Sequence, residues 1–176
     1  MSDYRLIEVK SITDLNRWLD FTDKLYTNGL FVPPVRQNIL RLFQGKTPYQ
    51  HTDMEVKFFI VEDAHQHVVA RTTFHRSLKF NKKMFGDLQL FGFTEFIDDY
   101  NVFHFLFSQL KKMAQESNRT MLLGPANLLP NQFGGVVTSG FDQRGFVDNV
   151  YNHAYYPRFY KEFGFKNVFE SQTFVC

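Results

Sequence analysis

The stretch NVYNHAYYPRFYKEFGF, residues 149–165, decides the fold of this chain. Aromatic residues lead into Pro157, an amphipathic helix of about one and a half turns follows, and Gly164-Phe165 ends the segment. The pattern predicts a last helix over residues 155–163. One or two closing strands are predicted after it, over residues 167–175.

The rest of the chain is predicted to contain strands and amphipathic helices. Ser11 lies three residues before Asp14, an approximate capping box, and Asn28-Gly29 supplies a left-handed stop, so these signals bound a first helix. Strands are predicted over 5–10, 54–62, 67–77, 87–96 and 120–123, and further helices over 35–43 and 100–115. A lysine-rich loop after residue 77 and an irregular region at 127–146 connect them.

Two local patterns describe the predicted sheet. Residues 58–61, Phe-Phe-Ile-Val, are apolar on both faces, which indicates a central strand covered on both sides. Gly92 inside the strand at 87–96 marks a bulge or a close approach of another backbone. The 22 phenylalanines favour either a core of large flat side chains or an aromatic-walled pocket.

The composition indicates one globular domain over residues 1–176. The net charge of +2 comes from interspersed charges rather than a clustered basic face, so no nucleic-acid partner is expected. A single cysteine, Cys176, allows no intrachain disulfide. The sequence contains no run of about 18 apolar residues, the length that a membrane span requires. The histidines show no metal-ligand spacing. We therefore expect a cytoplasmic protein without a metal.

Five stretches resemble the GNAT superfamily of acyl-CoA N-acyltransferases, and in particular the amino-terminal half of bacterial GNAT-like proteins with two acyltransferase-like halves. The stretches are FVPP (31–34), LQLFGFTEFIDD (88–99), LLGPANLLPNQFGGVV (122–137), SGFD (139–142) and YNHAYYPRFYKEFGF (151–165). They cover most of the chain from residue 31 onward. The predicted element order, β-α-α-β-β-β-α-β-α-β, is also that of the GNAT fold.

The resemblance implies an α/β (α+β) fold with a mixed, mostly antiparallel central sheet that is flanked by helices and splayed in the middle. It implies acetyl-CoA or another acyl-CoA as co-substrate, with a small-molecule amine attacking the thioester directly. A chain that matches one half would stand alone or pair with a second copy, so a homodimer is an open expectation.

The resemblance also assigns residues to acyl-CoA. The strand at 88–96 would lend its backbone to the pantetheine arm, and the expected cofactor-binding residues are Phe91, Phe93, Thr94 and Asn101. The next loop in the family usually reads Arg/Gln-x-x-Gly-x-Gly/Ala and wraps the pyrophosphate at a helix start, where amide hydrogens are free. Residues 96–101 here contain no glycine and no arginine, and Asp98-Asp99 would repel a diphosphate.

Two residues are the candidate catalytic pair. Glu95 lies at the strand end where several GNAT enzymes keep a general base, and its alternative role is that of a surface glutamate or helix-cap partner. Tyr160 lies four residues before Gly164, where many GNAT enzymes hold a tyrosine that protonates the departing thiolate. Its alternative role is to pack on the sheet.

Four residues around the irregular region are the candidate substrate-binding residues: Asn127, Tyr151, Asn152 and Tyr156. Amides and phenols with aromatic walls can form a small-molecule pocket, although the same residues also suit turn caps and a core edge.

The leading functional interpretation is therefore an acyl-CoA-dependent N-acyltransferase. The alternative is a catalytically silent GNAT-like domain that binds a small ligand or a partner chain. Tyr160 and Gly164-Phe165 favour the enzyme, whereas Asp98-Asp99 and the half-length match favour the alternative.

Overall fold

The structure, a computed structural model, describes residues 3–48, 50, 53–84, 86–128 and 134–172. Within these residues five strands form one sheet in the order β1-β2-β3-β4-β5. They are β1 (Arg5–Glu8), β2 (Met54–Glu62), β3 (Val68–Ser77), β4 (Leu88–Phe96) and β5 (Met121–Leu123). The first four strands pair antiparallel and β5 pairs parallel to β4, which confirms the predicted mixed, mostly antiparallel sheet.

Five helices accompany the sheet in the described residues: α1 (Ile12–Leu25), α2 (Arg36–Phe43), α3 (Leu78–Lys83), α4 (Tyr100–Glu116) and α5 (Tyr156–Phe163). The hydroxyl of Ser11 accepts a hydrogen bond from the backbone N–H of Asp14 at 3.1 Å, so the predicted cap begins α1. Gly164 ends α5 in the left-handed conformation with a φ of 100°.

The core lies on both faces of the sheet, and β2 shows why. Phe58 and Ile60 pack with α1 and α2, whereas Phe59 and Val61 belong to the cluster that contains α4 and α5. Successive side chains of a strand point to opposite faces, and all four of these side chains are buried. The predicted central strand, covered on both sides, is confirmed.

The sheet separates at Gly92. β5 pairs with β4 only at Leu88–Leu90, and the chain after β5 then crosses directly over Gly92. A Cβ atom at Gly92 would lie 2.0 Å from the carbonyl oxygen of Ala126, so the two backbones touch at this point. The register between β3 and β4 also shifts here. The predicted close approach and bulge are both present.

The lysine-rich connection is a short helix, α3, rather than the predicted loop. Ser77 and Asp53 satisfy the first backbone N–H groups: the Ser77 hydroxyl accepts from Phe80 at 3.0 Å, and an Asp53 carboxylate oxygen accepts from Lys79 at 2.6 Å. Asp53 is distant in sequence, so this second cap was not predictable from the local pattern.

The predicted closing strands are absent from residues 167–172, which form neither helix nor strand. Val168 and Phe169 are 71% and 81% exposed, so this segment lays no apolar face on the sheet. A strand requires a hydrogen-bonded neighbour, and no described residue pairs with it. The last predicted strand residues, 173–175, and Cys176 lie outside the described residues.

The substitution Gly92→Ala tests the crossing at Gly92. We expect the free energy of unfolding to fall by about 2 kcal/mol or more, because the added methyl group overlaps the Ala126 carbonyl group. Urea unfolding measures this change. The matched control is Gly86→Ala, whose added Cβ meets its nearest heavy atom at 3.7 Å. Equal stability of the two variants would contradict the close approach.

Candidate functional site

A cavity of about 210 Å³ lies beside the part of β4 that has separated from β5. One wall is β4 itself, through Phe93, Thr94 and Glu95. The connection between α1 and α2 and the first turns of α2 form a second wall, and loop residues near 125–128, 134–136 and 148–152 close the third. Most of the wall side chains are apolar or aromatic, so the polar groups within it stand out.

Glu95 is the buried acidic group of the cavity, at 8% exposed, whereas the other acidic residue of the wall, Asp148, is half-buried. Its Oε2 accepts hydrogen bonds from two hydroxyl groups, those of Tyr26 and Tyr156, the latter at 2.8 Å. Burial raises the pKa of the Glu95 carboxyl group, while the charge of Arg71 and the two tyrosine hydrogen bonds oppose that rise. Glu95 makes no ion pair with any described side chain.

Arg71 is the basic group of the cavity, and only 1% of its surface is exposed. Its guanidinium stacks on the Trp18 ring at 4.0 Å, and Nη1 donates to the Trp18 carbonyl oxygen at 3.1 Å. Burial lowers the pKa of Arg71 to about 10, against the opposing charge of Glu95. The group therefore stays protonated at neutral pH. Arg71 and Glu95 are cross-strand neighbours in the pairing of β3 with β4.

The four predicted substrate-binding residues all lie in the wall of this cavity, namely Asn127, Tyr151, Asn152 and Tyr156. Asn152 is occupied as a loop cap, because its amide accepts from Val137 N at 2.7 Å and donates to Val137 O at 3.1 Å. The Tyr151 hydroxyl binds the Phe141 carbonyl oxygen at 3.1 Å. These two residues shape the wall rather than offer free polar groups.

Two solved structures resemble this architecture over nearly the whole chain. One is an aminoglycoside antibiotic 6'-N-acetyltransferase from Acinetobacter baumannii, at 10% identity and a TM-score of 0.55, covering 98% of this chain and 97% of that chain. The other is a proposed acetyltransferase from Pyrococcus furiosus, at 11% identity and a TM-score of 0.52, covering 98% and 99%. No family model and no curated protein matches the sequence.

The chain has the GNAT acyltransferase fold. The five-stranded sheet in the described residues and the helices that flank it agree with these structural neighbours. At such low identity the likeness concerns the fold alone. Whether acyl-CoA suits this GNAT-fold chain must be judged from its own residues.

The resemblance places the pantetheine arm of acyl-CoA along the outer edge of β4. The Phe93 N–H donates to the Asn127 side-chain oxygen at 2.8 Å, and the Phe91 carbonyl oxygen accepts from Ala126 N at 2.7 Å. Phe93 itself has a φ of 47°, in the left-handed region. Both backbone groups are therefore already paired with the crossing loop.

The end of β4 is occupied in the same way by α5. The Phe96 N–H donates to the Tyr156 hydroxyl oxygen at 3.1 Å, and the Phe96 carbonyl oxygen accepts from the Tyr155 hydroxyl at 2.6 Å. The rings of Phe96 and Tyr156 stack with centroids 4.0 Å apart. A pantetheine arm would have to displace these contacts before it could bind the strand.

The resemblance places the pyrophosphate of acyl-CoA at the start of α4. Asp99 is the N-cap, and its carboxylate accepts from Asn101 N at 2.8 Å and from the Tyr4 hydroxyl at 3.2 Å. Asp98 lies 3.8 Å from Arg158. This helix start carries two carboxylates and lacks the arginine of the expected loop. It is therefore unfavourable for a diphosphate.

The other residues predicted for acyl-CoA are dispersed. The Phe91 ring is fully buried, Asn101 is exposed on the first turn of α4, and the Thr94 hydroxyl pairs with the Thr72 hydroxyl at 2.7 Å. Only Phe93 and Thr94 of the four border the cavity. Taken together, the backbone edge, the helix start and these positions do not fit acyl-CoA.

Tyr160 is enclosed by aromatic rings and does not border the cavity. The rings around it are those of Phe91, Phe96, Phe103, Phe107 and Phe165. Its hydroxyl has no hydrogen-bond partner among the described residues, and burial followed by the charge of Glu95 raises its pKa well above the usual value. This position corresponds to the packing alternative for Tyr160.

Sequence reasoning missed two residues of the site, Arg71 and Tyr26. An arginine between Ala70 and Thr72 in an otherwise apolar and threonine-rich strand was the available signal for Arg71. Tyr26 lies at the end of α1 and looked like an ordinary apolar-face residue. Its bond to Glu95 joins residues 69 positions apart, which no local pattern reveals.

The described ranges contain neither a membrane-spanning helix nor a candidate metal site. No helix there is long and apolar enough to cross a membrane. In the same part of the chain, no group of three or more His, Cys, Asp or Glu side chains could hold a metal ion.

The pH dependence of stability tests the environment of Glu95. Below its ordinary pKa of 4.5 the carboxyl group is protonated in both the folded and unfolded states. As the pH rises above that value, the unfolded chain loses the proton first, because the folded pKa is raised. We therefore expect the wild-type protein to lose stability relative to Glu95→Gln as pH rises from about 4 toward 8.

Urea unfolding of both proteins across this pH range measures the difference. His75 has its pKa lowered to about 4 by burial, but it is present in both proteins and its contribution cancels. Glu116→Gln, at the exposed end of α4, controls for a general effect of the amide. A difference between wild type and Glu95→Gln that does not change with pH would contradict the raised pKa.

Proposed function

We propose that this chain binds a small molecule carrying an amine in the cavity at Glu95, and that it does so without acyl-CoA. The observation that carries the proposal is the state of Glu95. It is a buried carboxylate held by two tyrosine hydroxyls, and it borders a cavity. Its cross-strand neighbour Arg71 acts on it through charge, but no described cation makes a direct ion pair with it. A buried charge of this kind favours a ligand of opposite charge.

The aromatic surroundings support the same ligand class. Phe31, Phe93, Tyr151 and Tyr156 all contribute to the wall of the cavity. The faces of such rings attract cations, and the attraction strengthens where water is excluded. An ammonium group at Glu95 would therefore meet a carboxylate and aromatic faces together.

The size of the cavity limits the ligand. Its volume of about 210 Å³ is below the roughly 300–1,000 Å³ that is common for sites of drug-sized molecules. We infer a ligand of metabolite size that carries a short hydrocarbon group next to its amine.

A thermal-shift screen tests this proposal with small primary amines and, as matched ligands, their N-acetylated counterparts. Near a hundredfold excess over Kd, a binding amine should raise Tm by about 5–10 °C. The N-acetylated counterpart cannot become an ammonium ion and should give no shift. Glu95→Gln should weaken amine binding about tenfold or more, because it removes the buried charge.

Glu55→Gln is the matched control, since Glu55 lies on β2 outside the cavity wall and its side chain is 74% exposed. This variant should bind the amine as wild type does. The proposal is wrong if no primary amine shifts Tm, or if the N-acetylated compounds shift it equally.

N-acyltransfer to the bound amine is the second candidate function. The observation in its favour is that Glu95 borders a cavity at the separation of β4 and β5 in a GNAT fold whose structural neighbours are described as acetyltransferases. A carboxyl group with a raised pKa suits a general base. This candidate would also require Tyr160 to reach a departing thiolate.

Calorimetric titration with acetyl-CoA separates the two candidates. We expect no heat of binding at an acetyl-CoA concentration of about 1 mM, because the β4 edge is already paired and the start of α4 is acidic. A Kd of about 1 mM corresponds to a binding free energy of about −4 kcal/mol. The amine found in the screen serves as the positive control for folded protein. Binding of acetyl-CoA with release of free CoA thiol would establish the second candidate.

In that event Tyr160→Phe becomes informative. The Tyr160 hydroxyl has no partner among the described residues, so its removal should leave the fold intact. A lower rate with unchanged affinity would support the predicted role of Tyr160 as acid. An unchanged rate would remove that role.

A further inference from the structure

The cavity contains a second charged group that the amine leaves unexplained. Arg71 borders the same cavity as Glu95, and its side chain is almost wholly buried. The two residues are cross-strand neighbours, yet no ion pair joins their side chains in the described structure. Each therefore keeps hydrogen-bonding capacity that the protein does not use.

The unused capacity of Arg71 lies on one edge of its guanidinium. Nη1 donates to the Trp18 carbonyl oxygen, and the ring of Trp18 covers one face of the group. The buried Nε has no partner among the described residues, and the hydrogen bond that Arg71 donates to a described residue comes from Nη1 rather than Nη2. Nε and Nη2 together form an edge of two parallel donors, which is the geometry that binds a carboxylate in a bidentate manner.

The unused capacity of Glu95 lies on one oxygen. Both tyrosine hydroxyls donate to Oε2, so Oε1 receives no hydrogen bond from a described residue. An ammonium group is a donor of three hydrogen bonds and can satisfy this oxygen. A ligand with an amine alone would satisfy Oε1 and leave the donor edge of Arg71 unpaired, which is unfavourable for a buried group.

We propose that the ligand is a small zwitterion, an amino acid with an apolar side chain, whose ammonium group binds Glu95 and whose carboxylate binds Arg71. This inference rests on the proposed function, because it assigns the second half of the molecule whose amine binds at Glu95. The charges of Glu95, Arg71 and the ligand then sum to zero, so each buried charge has a partner of opposite sign.

The apolar side chain is assigned by the apolar residues that make up most of the wall, which also contains Asn38, Asp148 and Asn149. Ile39, Leu42, Leu128 and Val136 border the cavity together with Phe31 and Phe93. Burial of a hydrocarbon side chain against these residues contributes favourably in proportion to the area removed from water. A polar side chain would lose its hydrogen bonds to water there.

Calorimetric titration with three matched compounds tests the inference. The series is leucine, isoamylamine, which lacks the carboxylate, and isocaproate, which lacks the amine, and the same series is repeated for valine, isoleucine, methionine and phenylalanine. We expect at least one amino acid to bind about tenfold or more tightly than either of its truncated partners. Isocaproate-type compounds should bind least, because they place a second carboxylate near Glu95.

Arg71→Lys separates the two ends of the ligand. Lysine keeps the positive charge and loses the paired donor edge. We expect Arg71→Lys to weaken binding of the amino acid about tenfold more than it weakens binding of the matching amine. Arg76→Lys is the control, since Arg76 lies on the same strand and pairs with Glu55 outside the cavity wall.

The outcomes distinguish this inference from the proposed function. Equal binding of amino acid and truncated amine overturns the zwitterion and leaves the amine site standing. Tighter binding of the truncated acid overturns both. Absence of binding by every compound in the series overturns the zwitterion, while the wider amine screen decides the proposed function separately. If Arg71→Lys fails to fold, the three-compound comparison on wild-type protein still decides.

Discussion

The backbone of β4 has no neighbouring strand on its outer edge beyond Leu90, and the rest of the site follows from how that edge is satisfied. Buried N–H and C=O groups must find partners. In this protein the partners come from a crossing loop and from α5: Asn127 pairs with Phe93, and two tyrosines pair with Phe96. The contacts made by the two tyrosines hold α5 against the sheet.

One hydroxyl group connects this structural requirement with the chemistry of the cavity. The Tyr156 oxygen accepts the Phe96 N–H, and its own proton is donated to Glu95. Tyr26 donates to the same carboxylate oxygen. The network leaves the second oxygen of Glu95 and one edge of Arg71 available. The cavity therefore holds two buried, opposite charges in a wall that is mostly apolar or aromatic.

Much of the fold was predictable because local patterns and the tertiary structure agree. Three local patterns each set a requirement that the tertiary structure must meet. The apolar run at 58–61 must be buried on both faces, Ser11 caps a helix start, and Gly92 permits the close approach of another backbone. The errors have the opposite cause. The short helix α3 depends on Asp53, a residue 26 positions before the amide that it caps, and the expected strand at 167–172 has no described edge to pair with.

The sequence by itself determined the residue types of the cavity and the fold around them, because hydrophobic periodicity, proline and glycine act locally. It placed Asn127, Tyr151, Asn152 and Tyr156 near one irregular region, where the structure also has them in one wall. Only the tertiary structure decided that Tyr160 lies among phenylalanine rings and that Glu95 and Arg71 share a cavity. The physical reason is that strand register and helix docking act between distant residues, and they set which polar atoms remain unpaired.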